Sequence, residues 1–203
     1  MPKHVAHVRI IAMFMLSFSI CSTPVFAGAL EDGQAAYNRG DYAMALKLFR
    51  PLAEQGNSDA QNNLGWMYEQ GSGVGQDFKE AMKWYRLAAE QGSARGEYSL
   101  GVLYYNGRGI PRSLENAMKW YRMAAAQGDA KAQYNLGFMY ANGEGVPKSL
   151  SRGYMWWSLA SNGGEAAAWA TLETLSKMMT KEQIAEAQAM ARNCEASKYK
   201  QCN

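Results

Sequence analysis

Leu64-Gly65-Trp66-Met67-Tyr68-Glu69-Gln70-Gly71-Ser72-Gly73 returns as Leu100-Gly101-Val102-Leu103-Tyr104-Tyr105-Asn106-Gly107-Arg108-Gly109. It returns again as Leu136-Gly137-Phe138-Met139-Tyr140-Ala141-Asn142-Gly143-Glu144-Gly145. The step is 36 residues each time. Downstream of each copy the same step links Trp84-Tyr85, Trp120-Tyr121 and Trp156-Trp157, and then Gly92, Gly128 and Gly164. Several positions that move together at a fixed period mark a repeat array in which each unit is one supersecondary structure. Three full units follow, over 58–93, 94–129 and 130–165.

Each unit reads as two helices. Ala60, Leu64 and Tyr68 stand four residues apart and so share one face of a first helix over about 59–70. Gly65 removes a side chain where a neighbouring helix comes close. Gly71 stands where the chain must leave the helix, a place for positive φ and hence for glycine. Asp77, Ser113 and Ser149 are N-cap residues of the second helices, and Asp77 with Glu80 spells a full capping box. The second helix turns Ala81, Tyr85 and Ala88 to the core. Packed in series, such pairs give an all-α fold, an α-solenoid of antiparallel helix pairs.

Outward from the array the flanks read as weaker copies. Residues 28–57 form a divergent N-terminal repeat, with Ala36-Tyr37, Gly40-Asp41-Tyr42, Ala45, Phe49 and Leu52-Ala53 in hairpin register and a kink expected at Pro51. Residues 166–203 make a helical cap and tail. A helix is expected over 166–178, and Thr180 with Gln183 caps a last helix. About ten helices in one continuous superhelix are predicted.

The first 27 residues differ from the rest. Lys3 and Arg9 precede an apolar run of 12 residues, Ile10 to Cys21, and no acidic residue occurs before Glu31. The run is too short to span a bilayer, which takes roughly 20 apolar residues. With Pro24 and the Val25-Phe26-Ala27 site it reads as a signal peptide cleaved after Ala27, which sends the chain to the periplasm or outside the cell. Cys21 is a poor lipid anchor, since the bulky Ile20 stands directly before it, so no stable membrane anchor is expected after cleavage.

Cleavage changes the chemistry available. Both histidines, His4 and His7, leave with the leader. A chain without histidine has no Ser-His-Asp or Cys-His nucleophile system and little to offer zinc. Removing Lys3 and Arg9 from the 21 basic residues leaves 19 against 18 acidic ones, far from the basic field that nucleic acid demands. No catalytic residue, no metal ligand and no cofactor are assigned. Cys194 and Cys202 remain, an even count in an exported chain, and a disulfide between them is expected. Ser197 to Lys200 spells S-x-x-K, the string of serine β-lactamases, but without the accompanying S-D-N or K-T-G. The G-x-G segments follow helices, not strands, and read as repeat loops.

The pattern LG-x-x-Y, G-x-G, A-x-x-W-Y/W-x-x-A, G resembles the Sel-1-like repeat, a relative of the tetratricopeptide repeat, over 58–165. That resemblance implies a superhelix whose first helices line a concave groove that binds a protein or peptide partner. Carried over residue by residue, the groove positions are Asp59, Asn62, Trp66, Glu69 and Gln70, then Arg95, Tyr98, Val102, Tyr105 and Asn106, then Lys131, Tyr134, Phe138 and Asn142. The partner-binding set expected among them is Asn62, Trp66, Arg95, Tyr98, Tyr105, Lys131, Tyr134 and Phe138, because rigid aromatic side chains dominate interface energetics. Packing alone is the competing reading for Trp66, Val102 and Phe138, and also for the three tyrosines. The convex side carries Lys83, Arg86, Lys119 and Arg122, read as a solvated face. An exported interaction scaffold is the function implied. The alternative is an envelope enzyme or β-lactam-binding protein: cysteine-rich relatives linked to β-lactams carry a cysteine pair with seven residues between in every repeat, and this chain has that spacing once, at Cys194 and Cys202.

Overall fold

A computed structural model describes residues 25–200 and Cys202, with the side chains of 25–27 left aside. The leader expected over 1–27 therefore lies almost wholly outside the described residues. Ten helices occur in order, without a strand among the described residues: α1 (Val25–Asn38), α2 (Tyr42–Glu54), α3 (Ser58–Gln70), α4 (Phe78–Glu90), α5 (Ala94–Asn106), α6 (Leu114–Ala125), α7 (Ala130–Asn142), α8 (Leu150–Asn162), α9 (Ala166–Ser176) and α10 (Lys181–Ala196). Each helix packs on the next through α9, so the pairs stack as an all-α solenoid.

The repeated residues explain the geometry. Ala60, Leu64, Ala81, Tyr85 and Ala88 are fully or almost fully buried. A Cβ on Gly65, Gly101 or Gly137 would stand 2.8, 2.5 or 2.6 Å from the ring of Tyr85, Tyr121 or Trp157, so these three glycines set how closely the two helices of a unit approach. Gly71, Gly107 and Gly143 adopt φ of 72, 68 and 76° and end the first helices in the left-handed cap that glycine takes without strain. The backbone N–H of Asp77, Ser113 and Ser149 then donates to the carbonyl of Tyr68, Tyr104 and Tyr140 at 2.9, 3.0 and 2.8 Å, which closes each loop identically.

Two ladders of side chains tie unit to unit. Arg50, Arg86 and Arg122 donate to the hydroxyls of Tyr68, Tyr104 and Tyr140, each 18 residues on. Gln61 and Gln133 donate to the carbonyls of Ala53 and Ala125 in the preceding helices. Gln91 and Gln127 donate in turn to Gln61 and Glu97.

One of the two expected capping boxes changes. The Asp77–Glu80 capping box is only half formed. Asp77 accepts from the amides of Lys79 and Glu80, but its own N–H is held by Tyr68, and Glu80 pairs instead with Lys83 at 3.4 Å. The Thr180–Gln183 box forms in both directions. Helix α2 continues through Pro51 to Glu54, without the one ladder bond a proline cannot donate.

The superhelix also ends one helix early. By register α10 belongs beside α9, yet it packs chiefly on α8. Where Gly65, Gly101 and Gly137 admit a partner helix, α9 carries Glu173, an exposed side chain paired with Lys177. Helix α8 accepts α10 because Met155 and Ser158 replace the Lys83–Arg86 and Lys119–Arg122 pairs, leaving an uncharged face. Leu159 is thereby buried, while its counterparts Leu87 and Met123 are exposed. The Cys194–Cys202 disulfide closes the tail, with both residues buried in the core cluster of the second and third units.

Candidate functional site

The face formed by the first helices carries a cavity of about 390 Å³ between α5 and α7. Tyr98, Val102, Tyr105 and Asn106 of α5 form one wall, and Tyr134, Asn135 and Phe138 of α7 the other. Tyr121 of α6 completes the lining. No lysine, arginine, aspartate or glutamate lines it.

A smaller hollow of about 230 Å³ stands at the equivalent place between α7 and α9, with Ala141, Asn142, Trp157, Thr171 and Thr174 in its lining, so the lining and not the hollow differs between units. In the first unit Glu69 stands at the position of Tyr105, accepting the Tyr85 hydroxyl at 2.8 Å and facing Arg108 at 3.7 Å. In the second unit that position is Tyr105, which is drawn towards the loop. Its hydroxyl donates to Glu144 at 2.6 Å, and the Arg112 guanidinium lies 5.3 Å from its ring centroid and 3.8 Å from Glu144. In the third unit Ala141 takes the position, and Trp157, in place of Tyr121, donates its indole N–H to the Tyr134 carbonyl at 3.0 Å. Tyr98 and Tyr121 lie 6.0 Å apart between centroids, and both hydroxyls engage Asn135. Burial, first, and then neighbouring anions push the Tyr98 hydroxyl above its ordinary range, with Asp129, Glu165 and Glu69 as the anions. Burial also raises Tyr105, reinforced by Glu144. All of these phenols are therefore neutral at physiological pH.

Of the eight expected binding residues, Tyr98, Tyr105, Tyr134 and Phe138 come together at this cavity, with Val102 and Asn106 from the wider groove set. Trp66 and Arg95 lie elsewhere, at a smaller hollow of about 90 Å³ with Gln34, Tyr37, Phe49 and Asn63. There the Trp66 indole donates to the Tyr37 hydroxyl and Arg95 to Asn63, both at 2.8 Å. Lys131 is exposed beside Asp129 and does not line the cavity. Asn62 is a correction: it is fully buried, donating to Ser93 Oγ at 2.8 Å, and is a packing residue. Glu69 is likewise buried. Asp59, Gln70 and Asn142 are exposed. Tyr121 and Asn135 line the cavity without having been expected there. Tyr121 reads as core from its place in the second helix, and its neighbour Asn135 lies one position off the groove register.

On the opposite face Arg86 and Arg122 are held by tyrosine hydroxyls, and Lys83 and Lys119 lie 5.6 and 5.7 Å from the rings of Trp84 and Trp120. In the tail, Ser197 Oγ donates to the Cys194 carbonyl at 2.7 Å. Among the described residues no group of three His, Cys, Asp or Glu side chains is placed to hold a metal ion, and no helix is long and apolar enough to cross a membrane.

A Sel1 repeat family model matches residues 26–57, 58–93, 94–129 and 130–165. The chain belongs to the Sel1 repeat family. The N-terminal hairpin is matched as a Sel1 unit in its own right, and the three central boundaries coincide with those set by the 36-residue period. A Sel1 repeat protein from Oxalobacter formigenes is 32% identical, with a TM-score of 0.71, over 83% of this chain and 69% of that one. A protective antigen of uropathogenic Escherichia coli displaying the same fold is 24% identical, with a TM-score of 0.55. The match covers 86% of this chain and 47% of the antigen, so it carries the fold alone. No curated protein matches this chain. Sel1 repeats in general build non-enzymatic scaffolds for contacts between proteins.

Proposed function

We propose that this chain is an exported interaction module that holds a segment of a protein or peptide partner on its first-helix face, the concave side of the solenoid. The observation that carries the reading is the cavity between α5 and α7. Its aromatic walls come from two different units, and Phe138 remains 41% exposed at its edge. The equivalent hollow of the third unit, about 230 Å³ and lined by Ala141, Asn142, Trp157, Thr171 and Thr174 among others, lacks the tyrosines, so the aromatic walls belong to this cavity and not to the repeat. Rigid aromatic groups around an uncharged hollow are what a binding hot spot requires. Export rests on the leader-like first 27 residues and agrees with a buried disulfide in the tail. No observation favours the β-lactam reading, because the Ser197 hydroxyl is turned onto backbone at the end of α10.

Affinity capture from envelope extract tests the proposal. Tyr98→Ala with Tyr134→Ala should lose the captured partner while keeping helical circular dichroism. Truncated hot-spot aromatics cost about 2 kcal/mol or more, roughly thirtyfold in affinity. Lys83→Ala with Lys119→Ala, on the opposite face, should bind as the native chain does. The reverse pattern would place the site on the second-helix face.

A further inference from the structure

The cavity between α5 and α7 is unusual in its chemistry as well as its shape. Five of its eight lining residues are aromatic, and only Val102 is aliphatic. A ring face carries negative electrostatic potential, and several rings around one point attract a cation even though none bears a formal charge. Anions stand close to these rings, two of them, Glu144 and Glu69, facing Arg112 and Arg108. Asp129, Glu165 and Glu69 act on Tyr98, and Glu144 accepts directly from the Tyr105 hydroxyl. A phenol that donates to a carboxylate is richer in electrons than a free one, and its ring attracts a cation more strongly. The protein already uses this attraction at the cavity's edge, where Arg112 lies over the Tyr105 ring.

We infer that this cavity is an aromatic cage for an organic cation, and that the partner segment inserts a lysine or arginine side chain into it. The inference rests on the reading of this face as the partner site and gives that partner a chemical identity. Arg95 and Lys131, expected in the partner-binding set, do not line the cavity. The neutral lining makes chemical sense in this role. A carboxylate inside would hold one cation in one geometry, whereas rings accept an ammonium or a guanidinium group over a range of orientations.

Ligand-observed NMR titration of the purified protein tests the cage with small probes. The N-acetyl methylamides of lysine, arginine and norleucine share a backbone, and norleucine matches lysine without the charge. The lysine or arginine probe should bind at least about tenfold more tightly than norleucine. Tyr98→Leu with Phe138→Leu, which keeps bulk but removes two rings, should lose that preference, and Tyr98→Phe should retain it. Norleucine binding as tightly as lysine and arginine, or no preference among them, overturns the cage. The first-helix site would still stand if Tyr98→Ala with Tyr134→Ala loses the captured partner. Choline serves as a fourth probe. Binding of choline with both basic amides silent would overturn the assignment to a side chain and give the cage to a quaternary ammonium headgroup. The comparison on the native protein decides the matter even if the leucine variant fails to fold.

Discussion

Single residues carry the helix spacing. Gly101→Ala would place a Cβ 2.5 Å from the Tyr121 ring, with the ring itself buried and unable to move aside. Overpacking of this kind costs about 1–3 kcal/mol, and thermal unfolding should show a drop of several degrees. Gly75→Ala meets nothing within 4 Å and should match or slightly exceed the native melting temperature. Equal melting temperatures for the two variants would mean that the glycines do not set the spacing. Glu97 offers a second test. Gln61 and Gln133, one unit before and after it, donate to the carbonyls of Ala53 and Ala125, which an ionised Glu97 cannot do for Ala89. Burial holds the Glu97 carboxyl above its ordinary range, against the opposing bond from Gln127. The folded state therefore binds the proton more readily than the unfolded chain. The stabilisation is complete below the ordinary carboxylate range and is lost as pH rises through the raised value. Glu97→Gln should raise stability at neutral pH by about 1 kcal/mol and flatten this part of the pH profile. A variant less stable than the native chain at neutral pH would assign Glu97 a bond that glutamine cannot make. The glycine roles were legible in the sequence because steric demands recur with the period. Asn62 was misread because the period gives a position and not its burial: Tyr98 and Tyr134, at the same position, line the cavity, whereas Asn62 turns inward to Ser93.

Among the elements, α10 separates what periodicity reveals from what it hides. Its capping box and apolar spacing were legible, and its packing partner was not. The signals were nonetheless present: Glu173 where a glycine admits the second helix, and Met155 with Ser158 where two earlier units carry lysine and arginine. A missing repeat residue thus told more than a matching one. The disulfide closes a loop between residues eight apart, with a worth of about 2–3 kcal/mol in the chain-entropy model. Cys194→Ser with Cys202→Ser should lower the melting temperature. Hydrogen exchange in that variant should quicken in α10 while α3 to α7 stay protected. Uniform loss of protection would show that the tail supports the whole array. Intact mass should rise by about 2 Da on reduction of the native protein.

At the scale of the molecule, the repeat determines the architecture, and departures from the repeat determine the aromatic lining of the cavity. The positions of Glu69, Tyr105 and Ala141 are equivalent, yet only the second unit has a tyrosine there, drawn aside by Glu144 of the third. Sequence reasoning found most of the aromatic set because it reads one face of the first helices. It missed Tyr121 and Asn135 because a cavity's floor is set by packing in three dimensions and not by register. The proposed export has its own test: sequencing of protein extracted from the envelope should begin at Gly28, and a mature form that retains Met1 would refute cleavage after Ala27. The central claim is that the first-helix face, and not the basic one, meets the partner. Photocrosslinking addresses it directly, with a benzoylphenylalanine at Val102 or Phe138 compared with the same group at Leu87 or Met123, under native expression. Adducts of defined mass at Val102 and Phe138, with none at Leu87 and Met123, are the predicted result. Adducts confined to Leu87 and Met123 would contradict the account.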